Sequence, residues 1–291
     1  MRKRILCYGD SNTYGYIAGG MGRRYSSFIR WTCQLQTLLG EDYIIIDEGC
    51  SGRTAEADPP DEHFKNGTAY LDTSLHTHRP VDFVILMLGT NDLKTAYHKS
   101  AEMIASSIER MIAEIHDYLL LKQGFAPQVL LMSPASLSMS VLSGDFSDTF
   151  GYDSVMNSKK LAKLYAKTAE KTGSLFLDID PFTEVSSVDG VHLTEESHTA
   201  LAHKLNRMIR EYYSAHESMG NDDKAEPEEL IRMIRRLNEN ADLKEDDLLP
   251  AEKLFDSLKK DDDLYLALQK TKEETDHILI QSFIETLLSE F

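Results

Sequence analysis

Five short apolar runs punctuate the first three quarters of the chain: Ile5 to Tyr8, Tyr43 to Ile46, Phe83 to Leu88, Val129 to Met132 and Leu175 to Leu177. Gly, Asp, Ser or Pro bounds each of them, and each is too short for a helix, so they predict buried parallel strands. Between them, apolar residues recur every three or four positions: Phe28, Trp31, Leu35, Leu38 and Leu39, then Ile104, Ile108, Met111, Ile112, Ile115 and Leu119, then Leu161, Leu164, Tyr165 and Ala169. Leu201, Leu205, Met208, Ile209 and Tyr212 repeat the pattern after the last run. These are amphipathic helices. Strand and helix alternating in this way predict an α/β fold, a doubly wound five-stranded parallel sheet with helices on both faces. Ligands of such sheets bind beyond the carboxyl ends of the strands, so the chemistry is expected in the segments that follow the runs.

Gly9-Asp10-Ser11-Asn12 follows the first run, and Gly49-Cys50-Ser51-Gly52 the second. Gly89-Thr90-Asn91-Asp92 follows the third, and Asp189-Gly190-Val191-His192 precedes the last helix. Singly, each has an ordinary explanation. Ser11 suits a turn or a helix cap, Asn91 and Asp92 suit a cap, Gly52 suits a turn, and His192 is one of ten histidines. Together they supply a hydroxyl nucleophile, a base three residues from a carboxylate, and three donors for an oxyanion, all directed at one crevice. That set is what acyl transfer requires.

These blocks resemble the four signature blocks of the SGNH (GDSL) hydrolase family. The strings RILCYGDSNTYGY, EGCSGRT, Asp58-Pro59, NGTAYL, MLGTNDLK and DGVHLT are similar, more narrowly, to its arylesterase/acyltransferase branch, over about residues 2 to 213. The resemblance implies a flavodoxin-like three-layer sandwich. It also implies Ser11 as nucleophile, His192 as general base and Asp189 as the residue that orients it. The implied oxyanion hole is the backbone N–H of Ser11 and of Gly52 with the side-chain amide of Asn91, supported by Asp10, Thr90 and Asp92. Tyr14 stands where relatives in that branch have Trp, and the Gly- and Arg-rich loop from Ala18 to Ser27 also differs. The implied activity is hydrolysis of small or aryl carboxylic esters through an acyl-Ser11 intermediate, with transfer of the acyl group to alcohols as a second outcome. Removal of acetyl groups from carbohydrates or other natural acetyl esters is the alternative within the same chemistry. A non-catalytic scaffold with a partner-binding tail is the alternative outside it.

Charge divides the chain unevenly. Of 291 residues, 31 are basic and 48 acidic, a net of -17. Residues 1–216 carry only -6 of this, while residues 217–291 carry -11. The polar stretch Ser218-Met219-Gly220-Asn221-Asp222-Asp223 falls at the change, so the expected organisation is a catalytic domain over 1–216, a linker over 217–227 and an acidic helical extension over 228–291. Three apolar stripes mark helices in that extension: Leu230, Ile231, Ile234 and Leu237, then Leu254, Phe255 and Leu258, then Ile280, Phe283, Ile284, Leu287, Leu288 and Phe291. Pro227 and Pro250 suit helix first turns, and Asp261-Asp262-Asp263 suits a helix start. Such a small all-helical extension is expected to form a bundle or to dock on the first domain, and subunit association or partner docking is its expected use.

The acidity argues against nucleic acid and anionic membranes as partners, leaving a small-molecule ester as the expected one. No apolar run reaches the length of a membrane span, and the basic start Met1 to Arg4 lacks the apolar run of a signal peptide, so a cytoplasmic protein is expected. Cys7, Cys33 and Cys50 have no CxxC spacing, and His76-x-His78 reads as polar surface before a strand. Neither a metal nor a cofactor is expected. Asn66-Gly67-Thr68 is expected to be a turn.

Overall fold

Strand β1 (Lys3–Gly9) is flanked by β2 (Tyr43–Gly49) on one side and β3 (Phe83–Met87) on the other, with β4 (Gln128–Ser133) and β5 (Leu175–Asp178) beyond β3. All four pairings are parallel, and Ile5 sits in register with both Ile45 and Phe83. The computed structural model describes residues 2–60, 62–217, 227–239, 243–258, 260 and 262–291. Every residue of β3 is buried, as befits a strand covered on both faces, whereas the edge strand β2 is half-buried throughout.

Side chains alternate across the sheet, so each strand feeds two cores. Ile5, Cys7, Phe83, Ile85, Leu130 and Met132 pack with Trp31, Leu35 and Leu39 of α2 (Trp31–Leu39) and with Leu201, Leu205 and Ile209 of α6 (Glu195–Glu217). Alternation turns Leu6, Tyr8, Val84 and Leu86 to the opposite face. There the Tyr8 hydroxyl donates to the Gly67 carbonyl at the start of α3 (Gly67–His78), 2.7 Å away. On the same face α4 (Ala101–Gln123) carries the buried Ile104, Ile108 and Ile112, and α5 (Tyr152–Thr172) the buried Tyr165, whose hydroxyl donates to the Leu88 carbonyl at 2.9 Å.

Two expectations are corrected here. Asn66-Gly67-Thr68 is a helix start, not a free turn: the Asn66 carboxamide accepts from the Ala69 N–H at 3.2 Å and caps α3. Phe28 does not lie on α2, which begins at Trp31 after the extended Arg30, and the Phe28 ring is 88% exposed.

The chain forms two compact units, residues 1–115 with 127–213, and residues 116–126 with 214–291. The second takes in a mid-chain segment, 116–126, that a linear division at 216 leaves out. Among the described residues it contains α7 (Pro227–Leu237), α8 (Leu249–Ser257), α9 (Asp262–Glu273) and α10 (Ile278–Leu288), with the end of α4. The three apolar stripes are buried along Leu230, Ile234, Phe255, Ile280, Ile284 and Leu287, together with Leu264 and Leu268 of α9 and with Leu120. Helix α9 begins at Asp262. Asp261 and the stretch Ser218 to Asp223 lie outside the described residues.

Candidate active site

The sheet order reverses between β1 and β3, and the crevice expected at such a switch point lies beyond the ends of β1, β2 and β3. At the end of β1 the chain turns into the four-residue helix α1 (Ser11–Tyr14). The Asp10 carboxylate caps it, accepting from the Asn12 N–H at 2.9 Å. Gly49 ends β2 directly beside this turn, where a Cβ would stand 2.2 Å from the Tyr14 backbone nitrogen, so only glycine lets α1 lie flush on the strand ends. The Trp31 indole donates to the Asn12 carbonyl at 3.1 Å and holds the turn from the other side.

His192 arrives on a separate loop. Ser186 donates its N–H to the His192 carbonyl at 2.7 Å, and a bridge pairs Val185 with Leu193. Within this loop Asp189 Oδ1 accepts from the N–H groups of Val191 and His192 at 3.0 and 3.1 Å. Its Oδ2 lies 2.7 Å from His192 Nδ1, and His192 Nε2 lies 2.9 Å from Ser11 Oγ. All three side chains are buried. Burial works to raise the Asp189 carboxyl, but the hydrogen bond and charge of His192 and the two backbone N–H groups outweigh it and hold the group below the ordinary carboxylate value. The Tyr16 ring stacks on the imidazole at 4.2 Å, and Phe146 lies 5.6 Å from it.

The donor side is assembled from the turns after β2 and β3. Gly52 has φ +86°, a left-handed conformation in which a side chain is strained. Neither its N–H nor that of Ser11 donates to another described residue. The Asn91 carboxamide gives one N–H to the Arg53 carbonyl at 3.0 Å, which fixes its orientation and leaves the second N–H for a ligand. Asp92 is a structural anchor: it accepts from the N–H groups of Ala55, Glu56 and Ala57 at 2.6, 3.3 and 3.4 Å and has Lys99 Nζ at 3.7 Å. Thr90, also buried, precedes Asn91. Burial lifts the Asp10 carboxyl to about 6, although the Asn12 N–H, the charge of His192 and the Thr90 hydroxyl pull the other way.

The structure brings Ser11, Asp189 and His192 together, and three residues that sequence reasoning missed hold them. Arg53, buried at the second turn, donates to the carbonyls of Gly9, at 3.2 Å, and Glu48, and lies 4.1 Å from the Tyr8 ring, so it ties the ends of β1 and β2. Asn12 reaches the base loop, accepting from the Leu193 N–H at 2.9 Å and donating to the Val191 carbonyl at 3.3 Å. Tyr16 supplies the stacked ring. All three stand inside the quoted strings, and no periodicity distinguishes them. The loop from Ala18 to Ser27 is tethered through Arg24, whose guanidinium pairs with Asp47 on β2 at 2.7 Å and lies 4.4 Å from the Tyr14 ring. His78 faces Glu48 Oε1 at 2.7 Å, so it is a paired side chain rather than free surface polarity. Among the described residues, no three His, Cys, Asp or Glu side chains are grouped to hold a metal, and no helix is long and apolar enough to cross a membrane.

Comparison with solved structures finds the same fold and substantial sequence identity. A carbohydrate acetylesterase from Sinorhizobium meliloti is 32% identical with a TM-score of 0.67, covering 72% of this chain and 100% of its own. A carbohydrate acetylesterase family member from the same organism is 35% identical with a TM-score of 0.64, covering 72% and 97%. The aryl esterase of M. smegmatis is 32% identical with a TM-score of 0.67, covering 72% and 99%. No curated protein matches. The family model described as "GDSL-like Lipase/Acylhydrolase family" matches residues 7–200, and with Ser11, Asn91 and His192 all inside that span the chain belongs to this family.

Proposed function

We propose that the protein is a carboxylic ester hydrolase in which Ser11, His192 and Asp189 act as a catalytic triad. The observation that carries this reading is the unbroken series of hydrogen bonds from Ser11 Oγ through His192 to Asp189, at 2.9 and 2.7 Å. In it, neutral His192 takes the Ser11 proton at Nε2 as the hydroxyl oxygen bonds to the ester carbonyl carbon. Asp189 keeps the Nδ1 proton in place and stabilises the imidazolium that forms. The N–H groups of Ser11 and Gly52 and the free amide N–H of Asn91 receive the oxyanion. The C–O bond to the leaving alcohol then breaks, His192 returns its proton to that oxygen, and an acyl-Ser11 ester remains. Water, or a second alcohol, repeats the sequence in reverse.

Kinship with both an aryl esterase and carbohydrate acetylesterases supports a small acyl group and two kinds of leaving alcohol, a phenol or a sugar hydroxyl. A panel of aryl acetates against acetylated sugars separates the two, because kcat/KM ranks them directly. The test of the chemistry is Ser11→Ala, checked for folding by its melting temperature. Turnover of p-nitrophenyl acetate should fall by several orders of magnitude, and labelling by a fluorophosphonate should vanish. Undiminished turnover in that variant removes Ser11 as nucleophile, and an unlabelled wild type favours the scaffold alternative.

A further inference from the structure

Two lysines border the donor side of the crevice. The backbone sets the position of Lys65: its carbonyl accepts from the Thr54 N–H at 3.0 Å, and the next residues continue the tie, with the Gly67 N–H on the Thr54 carbonyl and the Thr68 N–H on the Ala55 carbonyl. This fastens the Lys65 segment beside the turn that carries Gly52. Its side chain then lies over Gly52, with Nζ 3.2 Å from the point where a Cβ on that glycine would stand. Lys94 follows Asn91 by three residues and donates its backbone N–H to the Asn91 carbonyl at 3.3 Å. With Thr95, His98, Lys99 and the carboxylate of Asp153 it lines a cavity of about 510 Å³.

The charges here are incompletely matched. Lys65 meets Glu62 at 2.6 Å, but Glu62 is half-exposed, and such a pair contributes little and leaves other ammonium donors available. Lys99 is shared between Glu56 and Asp92, at 3.7 Å each. No carboxylate among the described residues stands within ion-pair distance of the Lys94 ammonium. Burial and the charge of Lys65 hold that ammonium below its ordinary value, against the charges of Asp10, Glu62 and Asp92. A bound anion would offset the like charge that Lys65 places on Lys94.

We propose that Lys65 and Lys94 form a cationic rim on the oxyanion hole that selects esters whose leaving alcohol or phenol carries a carboxylate. The proposal rests on the esterase reading. Two acetates that differ only in charge test it: 4-acetoxybenzoate, and its neutral methyl ester. The readout is the ratio of their kcat/KM values, so any change common to both esters cancels. Lys65→Met and Lys94→Met are each expected to lower the anionic-to-neutral ratio by about 5- to 10-fold. Lys65→Glu is expected to lower it further, and Lys65→Arg and Lys94→Arg to retain it. A ratio unmoved in both Met variants overturns the proposal, as does an equal loss on both esters, which would make the lysines general oxyanion stabilisers. Either failure, with hydrolysis of the neutral ester still dependent on Ser11, leaves the esterase reading standing. Hydrolysis of that ester surviving in Ser11→Ala removes the esterase reading as well. The Arg variants and melting temperatures separate loss of charge from loss of fold.

Discussion

Asn12 Oδ1 accepts the backbone N–H of Leu193 at 2.9 Å, so the residue after the proposed nucleophile is bonded to the residue after the proposed base. The 2.9 Å contact between Ser11 and His192 is therefore braced one residue away on each side. Replacing Asn12 with Ala leaves the Leu193 N–H buried without a partner, a loss of about 1–3 kcal/mol in stability. The catalytic consequence is sharper. Because the pairing of hydroxyl and imidazole loosens while the substrate pocket stays, Asn12→Ala should lower kcat by roughly 10- to 100-fold with little change in KM. Steady-state kinetics beside a thermal melt checks both parts.

Asn91 is anchored through one amide proton and offers the other, so its removal is expected to affect the transition state more than the fold. Asn91→Ala should reduce kcat by about 10²- to 10³-fold, the scale of a lost oxyanion donor. A loss confined to KM would place Asn91 in ground-state binding instead.

Asp10 gives a pH signature. Its carboxyl rises from the ordinary 3.8 to about 6 in the fold, so the folded protein holds that proton more tightly than the unfolded chain. The associated stability is complete below about pH 4 and is lost as pH rises through about 6, amounting to about 3 kcal/mol at most. Asp10→Asn keeps an oxygen to accept from Asn12 and removes the titration. Melts between pH 4 and 7 should show the variant gaining on the wild type across that window and holding a constant lead above it. A constant difference at every pH would contradict the assignment.

Leu120 is buried in the same core as Leu230, Phe255 and Ile284. A chain ending at residue 216 keeps Leu120 and loses those partners, exposing apolar surface worth about 1.5–3 kcal/mol for the leucine alone. Light scattering should detect association of the truncated chain, and Leu120→Ser in the truncated chain should reduce it.

The parts of the fold legible in the sequence are those with one dominant period. The five apolar runs all became strands because buried parallel strands are apolar on both faces, and α4, α5 and α6 showed through their repeating stripes. Helix α3 did not, since its buried Leu71 and Leu75 are diluted by His, Asp and Thr, and its cap Asn66 has the same identity as a turn residue. Helix α9 presents one thin line, Leu264 and Leu268, among acidic and basic side chains. The strings around the strand ends named Ser11, Gly52, Asn91, Asp189 and His192. The bonds from Arg53 and Asn12 span 44 and 181 positions of sequence, and only the folded chain brings such partners together.

Gly49 carries a consequence for how this enzyme could change. The depth of Ser11 in the crevice is set by main chain resting on main chain at that glycine, with no side chain to trim or enlarge. Substitutions that adapt the substrate range therefore have nothing to adjust at the seat of the proposed nucleophile, and any residue larger than glycine there would lift α1 bodily. Variation is open instead at the tethered loop from Ala18 to Ser27 and at the lysine rim, so a library meant to shift substrate preference while keeping the chemistry should be drawn there, with position 49 held fixed.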